Sequence, residues 1–268
     1  MSEDRLFRTD AVVIKRADSG EADRLLTLYT PHMGKIRAVA KGARKTTSRL
    51  GGHVELFTLT RLMIAKGRNL DYVTQAETVR SFIEIRDDLD LVIVASYVAE
   101  LVDQFTENRI ENQALYALLL STFQNLPQAA DTDLLLRHFE LHLLSLIGYQ
   151  PELHHCLSCR RELEPVTNAF SAAAGGVLCP QCAGSQMVRR EVSVEMVKCL
   201  RFLQSNDYPQ ASRLRLRPEL HWELETVLGE TLRYLLEREL RSAAFLHTLR
   251  GGRRQLAGGR PVSRQPVA

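Results

Sequence analysis

The sequence contains no apolar run long enough to cross a membrane. Its longest uncharged apolar stretches, such as 91–99 and 115–123, fall well short of the roughly 18 to 20 residues that a membrane-spanning helix needs. The first residues include Glu3 and Asp4 and are not followed by an apolar segment, so the pattern predicts no signal peptide. We therefore expect a cytoplasmic protein.

The usual catalytic motifs are also missing. Lys45 and Thr46 follow Arg44 where a phosphate-binding loop needs a glycine, and no GxGxxG, GxSxG or HExxH occurs. A metalloenzyme remains an alternative, because His138 and His142 stand four residues apart on one helix face, but no third ligand is apparent. Catalytic constellations are thus mostly missing from the sequence.

The composition is that of a folded globular protein. The chain has 268 residues, of which 45% are hydrophobic and 25% charged. This length exceeds the usual domain of about 100 to 200 residues, so we expect two domains.

The charge is segregated along the chain. Residues 1–80 contain 15 Lys and Arg against 9 Asp and Glu, residues 81–155 contain 3 against 12, and residues 156–268 contain 17 against 11. The net charges are therefore about +6, −9 and +6. The basic segments are candidate polyanion-binding surfaces.

The N-terminal segment has the pattern of a small β-barrel. Short runs rich in Val, Ile, Leu, Thr and Tyr, separated by Gly or Pro turns, predict five strands at about 9–16, 24–30, 35–41, 54–64 and 70–79. Five strands with a long connection after the third favour an OB-fold barrel over residues 1–80. An SH3-like barrel fits the strand count almost as well.

Helical periodicity begins after Ser81 and predicts an α-helical domain over residues 81–248. One helix has clear end signals, with Asp131 as the expected N-cap and Gly148 as the expected left-handed residue after its end. The predicted helices cover about 91–105, 112–126, 131–147, 193–205 and 218–241. The Gly-rich basic segment 249–268 is expected to be a disordered tail.

Four of the five cysteines predict a zinc site. They form two CxxC knuckles separated by 19 residues, at Cys156, Cys159, Cys179 and Cys182. This spacing is typical of a structural, tetrahedral Zn²⁺ site with one ion per chain, and we place the zinc knuckle at about 152–185 within the helical domain. Disulfides would require an oxidising compartment. Cys199 is expected to be a buried core thiol.

The densest positive stretch is the candidate nucleic-acid-binding site. It consists of Lys35, Arg37, Lys41, Arg44, Lys45 and Arg49, with no acidic residue from 35 to 54. Strand alternation predicts that Lys35, Arg37 and Lys41 share one face. Lys66 and Arg68, in the connection between strands 4 and 5, lie where an OB barrel binds nucleic acid. An ordinary solvated face is the alternative, and the cation density favours polyanion binding.

Weaker nucleic-acid-binding candidates complete the set. Tyr29 and Tyr72 are possible base-stacking platforms, although barrel core is an equally good interpretation. Arg213, Arg215 and Arg217 alternate with leucines, so an extended segment would present all three on one side.

Two parts of the sequence resemble the bacterial DNA repair protein family RecO. The first resembles its N-terminal domain, and the second resembles its helical domain running into the cysteine knuckle; together they span roughly residues 7–205. The first contains "KRADSGEADRLLTLYTPHMGKIRAVAKGARK" and "KGRNLDYVTQAE", and the second contains "LLRHFELHLLSLIGYQPELHHCLSCRREL" and "FSAAAGGVLC".

The resemblance implies an α+β multidomain protein, with an N-terminal OB-fold β-barrel and a helical domain that contains an inserted four-cysteine zinc knuckle. It also implies a recombination mediator rather than an enzyme, one that binds single- and double-stranded DNA, anneals complementary strands without ATP and assists RecA loading together with RecR. The implied partners further include the C-terminal tail of the single-stranded-DNA-binding protein, and the implied location is the bacterial nucleoid. Alternatives are a zinc-containing OB-fold protein that binds RNA and a pure protein adaptor.

Overall fold

The computed structural model describes residues 5–185, 189–237, 240–243 and 246. The predicted tail, 249–268, lies outside these described residues. None of the helices within them is long and apolar enough to span a membrane.

The N-terminal segment forms a closed barrel of five strands: β1 (Leu6–Ser19), β2 (Asp23–Thr30), β3 (Gly34–Ala40), β4 (Leu59–Ala65) and β5 (Asp71–Arg80). Their order in the barrel is β1-β2-β3-β5-β4. All neighbouring strands are antiparallel except β3 and β5, which pair in parallel at Ala38–Asp71 and Val39–Tyr72. This arrangement confirms the OB-fold prediction over the SH3-like alternative.

The fourth strand begins five residues later than predicted. Residues Gly51–Val54 form a 3₁₀ turn, and Phe57 has a left-handed backbone with φ 65°. An extended strand cannot contain these conformations, so regular pairing begins only at Leu59.

Side-chain alternation gives the barrel wall two apolar faces. Val13, Leu28 and Ile36 point into the barrel and belong to its own core cluster. Val12 and Tyr29, which are neighbours on paired strands, belong instead to the core of the helical region. The barrel therefore packs against the helices through part of its outer surface.

The helical region contains seven α-helices whose bounds are described, and residues 241–243 are helical as well. Asp131 caps one of them by accepting a hydrogen bond from the Leu134 N–H at 2.9 Å, and Gly148 has φ 86°, as predicted. The predicted helix 218–241 ends earlier, at Leu236, because Glu237 is left-handed with φ 54°. The helices are α1 (Ile83–Arg86), α2 (Leu89–Phe105), α3 (Gln113–Asn125), α4 (Thr132–Leu146), α5 (Val194–Ser205), α6 (Tyr208–Ala211) and α7 (Pro218–Leu236).

The residues that connect α4 to α5 in sequence form a small three-stranded sheet. Its strands, β6 (Asn168–Ser171), β7 (Gly176–Leu178) and β8 (Arg190–Val192), are antiparallel, with β6 in the centre. Phe170 and Val177 of this sheet are buried in the core of the helical region.

Three phenylalanines join the barrel to the helices. Phe57 and Phe82 make edge contacts with Phe123 of α3, at ring-centroid distances of 5.5 and 6.1 Å. All three side chains are almost completely buried. Both Phe57 and Phe82 have left-handed backbones, a conformation that costs a bulky residue about 1–2 kcal/mol. The burial of the rings offsets this strain.

Candidate nucleic-acid interface and metal centre

The four predicted cysteine ligands lie together. The Sγ atoms of Cys156, Cys159, Cys179 and Cys182 are all within 4.8 Å of one another. A tetrahedral zinc with bonds of about 2.3 Å separates its sulfurs by about 3.8 Å. The Sγ atoms of Cys159 and Cys179 are 3.8 Å apart, so the donor set fits such an ion.

The backbone around each knuckle directs the thiols inward. The Arg160 N–H donates to the Cys156 carbonyl at 2.9 Å, and the Cys182 N–H donates to the Cys179 carbonyl at 3.0 Å. The Cys179 N–H donates to Cys156 Sγ at 3.3 Å. This last hydrogen bond, from an N–H to a sulfur, stabilises a thiolate, which is the form of cysteine that binds metal.

Arg161 adds positive charge beside the cluster. Its Nε donates to Cys159 Sγ at 3.4 Å, and this hydrogen bond lowers the pKa of Cys159 to about 6. Cys199 differs, because burial raises its thiol pKa to about 11. The four clustered cysteines can therefore hold a metal ion, whereas Cys199 is part of the core.

The cationic surface of the barrel centres on Tyr72. This side chain is 39% exposed, and the Lys41 ammonium lies 4.8 Å from the centre of its ring. Tyr72 pairs with Val39 of β3 and Ala65 of β4. The end of β3 and the loop 66–70 therefore meet at this ring.

Most of the predicted cations are exposed. Within the described part of the chain, none of the following six forms an ion pair: Arg37, Lys41, Lys45, Arg49, Lys66 and Arg68. Arg44 is partnered, since its Nε lies 3.3 Å from the Asp18 carboxylate and its Nη1 donates to the carbonyls of Gly20 and Glu21. We name the exposed set of Arg37, Lys41, Lys66, Arg68 and Tyr72 the β3–loop surface.

Lys35 does not lie on an open cationic face, so that prediction is wrong. The residue is 7% exposed, and its Nζ lies 3.1 Å from an Asp103 carboxylate oxygen on α2. Burial alone would raise the pKa of Asp103, but Lys35, together with Lys15, outweighs this effect and lowers it. Lys35 is thus an internal ion-pair partner between barrel and helices.

The stacking role considered for Tyr29 is also wrong. Tyr29 is 0% exposed, lies opposite Lys35 on paired strands and belongs to the core shared with the helical region. Burial raises its pKa to about 12. A ring in this position cannot reach a nucleic-acid base, whereas Tyr72 can.

Arg213, Arg215 and Arg217 are all exposed and alternate with half-buried leucines, although Arg213 lies in the turn that follows α6. Arg215 donates to the carbonyls of Ser212 and Leu214, and Arg217 forms an ion pair with Glu195. Their role in DNA binding stays a prediction.

The two histidines considered as metal ligands cap a helix instead. His138 Nε2 lies 3.1 Å from the Asn206 carbonyl, and His142 Nε2 lies 3.0 Å from the Leu203 carbonyl. Both nitrogens therefore donate to the C-terminal end of α5. Within the described residues, the only cluster of His, Cys and carboxylate side chains suited to a metal is the cysteine cluster.

Sequence reasoning missed Arg109 and its buried partner. Arg109 Nη2 donates to Asp71 Oδ2 at 2.6 Å, although the two residues are 38 positions apart. Arg109 belongs to the connection between α2 and α3, within the acidic segment of the chain. No local pattern distinguishes it, because the contact forms only when this connection packs beside β3.

Comparison with known proteins agrees with this architecture. The family model described as Recombination protein O N terminal matches residues 1–82, and that described as Recombination protein O C terminal matches residues 86–244. A DNA repair protein RecO from Roseiflexus sp. (strain RS-1) is 47% identical over 247 residues, covering 92% of this chain and 87% of that protein. One from Dehalococcoides mccartyi (strain ATCC BAA-2266 / KCTC 15142 / 195) is 40% identical over 243 residues, covering 91% and 96%. The chain belongs to the RecO family of DNA repair proteins.

Proposed function

We propose that this protein is a non-enzymatic mediator of DNA repair and homologous recombination that binds DNA through the β3–loop surface. The observation that carries the proposal is the exposed ring of Tyr72, which has the Lys41 ammonium 4.8 Å from its centre and follows the loop that carries the exposed Lys66 and Arg68. Cations that follow a groove, with an aromatic ring among them, bind single strands without reading their sequence.

We propose that binding of this kind also lets the protein anneal complementary strands without ATP. Complementary strands repel each other through their phosphates, and a protein that neutralises both strands lowers that repulsion. Arg213 and Arg215, beside Arg217 with its partner Glu195, form a second exposed segment that could bind the second strand. Single- and double-stranded DNA are both expected ligands, because the contacts are made to phosphates.

Family membership supports the proposed partners. We propose that the protein acts with RecR, contacts the C-terminal tail of the single-stranded-DNA-binding protein and thereby assists RecA loading. These contacts would place it at the nucleoid of a bacterial cytoplasm.

We assign one structural Zn²⁺ per chain to the cysteine cluster. Cys156, Cys159, Cys179 and Cys182 would fill a tetrahedral shell and leave no position open for substrate. The ion would hold the two knuckles together beside the sheet β6–β8.

Paired substitutions test the DNA-binding surface. R37Q/K41Q and K66Q/R68Q each remove two exposed cations, and we expect each to weaken binding to a mixed-sequence single-stranded oligonucleotide. The slope of log Kd against log salt should fall by about 1 to 1.5, because each lost phosphate contact removes about 0.7. Fluorescence anisotropy over a salt series measures both quantities.

The control K198Q/R233Q removes the same charge from exposed residues of α5 and α7. Its salt slope should match that of the wild type, and equal slopes in all variants would refute the assignment. RNA binding is the alternative function, and competition between RNA and single-stranded DNA of equal length separates the two. A pure protein adaptor would show no salt-dependent affinity for DNA.

A further inference from the structure

A buried carboxylate lies at the base of the cationic loop 66–70. Asp71 is 2% exposed, and its Oδ1 accepts a hydrogen bond from the Gly67 N–H at 3.3 Å. The loop is tight at this point, since a Cβ on Gly67 would lie 1.8 Å from the Leu70 carbonyl oxygen. Asp71 therefore helps to fix the loop that presents Lys66 and Arg68.

The charge of this carboxylate is compensated from the helical region. Arg109 Nη2 donates to Asp71 Oδ2 at 2.6 Å, and the Arg109 side chain is 51% exposed. The Arg109 backbone is itself held, because its N–H donates to the Lys35 carbonyl at 2.8 Å. The guanidinium is thus fixed between the helices and the barrel.

We propose that Arg109 is a positioning residue for the β3–loop surface, and that it acts through Asp71. Without Arg109, an uncompensated negative charge would lie at the base of the loop that carries Lys66 and Arg68, where it would repel phosphate. The helical region thus tunes DNA binding by the barrel. This inference rests on the proposed function of the β3–loop surface.

The first test is R109Q in the full chain. We expect its affinity for a labelled oligothymidylate to fall about three- to tenfold at low salt, the effect of one unbalanced charge near the binding path. The slope of log Kd against log salt should stay that of the wild type, because Arg109 itself contacts no phosphate. A slope lower by about 0.7 would mean direct contact and would overturn the proposal.

The decisive test is rescue by removal of the carboxylate. Adding D71N to R109Q removes the uncompensated charge, while the asparagine oxygen still accepts from the Gly67 N–H. R109Q/D71N should recover most of the lost affinity, and D71N should differ little from R109Q/D71N. If R109Q/D71N binds as weakly as R109Q, or if R109Q binds like the wild type, the proposal is wrong.

A charge-matched control excludes a general effect of net charge. R233Q removes one exposed arginine from α7 and should leave the affinity within about twofold of the wild type. Thermal denaturation of each variant confirms that the compared proteins are folded. If the wild type itself shows no salt-dependent DNA binding, the proposed function fails; if R37Q/K41Q weakens binding and R109Q does not, only this inference fails.

Discussion

At the scale of single residues, Lys35 shows how a cation in a basic segment can serve stability rather than binding. Its ammonium is paired with Asp103, whose side chain is 10% exposed. The Lys15 ammonium lies 3.3 Å from the other oxygen of the same carboxylate. Breaking a buried pair leaves an uncompensated charge, which usually costs about 3–5 kcal/mol.

K35M should therefore lower the free energy of unfolding by about 2–4 kcal/mol, the lower end reflecting the remaining partner Lys15. Urea denaturation measures this loss. The double variant K35M/D103L should recover much of it, because neither charge then remains buried. At temperatures where K35M is folded, the slope of its log Kd for DNA against log salt should equal that of the wild type. A lower slope would mean that Lys35 contacts DNA after all.

His138 gives the folded state a specific sensitivity to acid. Burial, reinforced by the neighbouring His142, lowers the pKa of His138 from 6.5 to about 4. Between these values the unfolded chain binds a proton that the folded chain excludes. The contribution of His138 is therefore complete above pH 6.5 and is lost as the pH falls towards 4, by about 3 kcal/mol.

H138Q should remove this dependence, and the difference in unfolding free energy between wild type and variant should change by about 3 kcal/mol between pH 7 and pH 4. Urea denaturation at several pH values measures it. The comparison with the variant is needed because His221 acts in the opposite sense: its hydrogen bond to Asp131 raises its pKa, so its contribution is lost as the pH rises. A constant difference across the range would contradict the prediction.

At the scale of secondary-structure elements, the sequence predicted the strands and helix ends that local residue patterns determine. Turn residues and alternation located all five barrel strands, and Asp131 and Gly148 marked the ends of α4. The sheet β6–β8 was missed because its strands have only three or four residues, too short for a period to appear. The early end of α7 was missed because no glycine or proline marks the left-handed Glu237.

The cysteine cluster and the sheet β6–β8 should depend on each other. The Leu157 N–H donates to the Val177 carbonyl at 3.0 Å, so the first knuckle is bonded to β7. We expect one zinc per chain by elemental analysis, and a strong chelator should lower the Tm by several degrees.

C182S should lose the zinc and show the lowered Tm without chelator. C199A is the matched control, because it removes a thiol that lies outside the cluster, and it should retain one zinc per chain. Carefully prepared wild-type protein without zinc would contradict the assignment.

At the scale of the whole molecule, the sequence could not reveal which barrel face the helices cover. Alternation puts Lys35 and Arg37 on the same side of β3, and only the packing of α2 decides that Lys35 is buried and Arg37 exposed. Its partner Asp103 is 68 residues away in sequence. The packing of the helical region also buries Tyr29 and leaves Tyr72 accessible. The sequence therefore predicted which residue types the candidate site contains, but not which of these residues are exposed.

This shared packing predicts that the barrel and the helices unfold together. The cluster that contains Val12, Tyr29 and Phe57 of the barrel continues into Phe123 of α3, so loss of either part exposes apolar surface of the other. L62A, inside the barrel, should cost about 2–5 kcal/mol. The transition reported by fluorescence of Trp222, on α7, should shift by the same amount as the transition of the whole chain in circular dichroism. If L62A left the Trp222 midpoint unchanged, the two parts would be independent folding units joined by a passive contact.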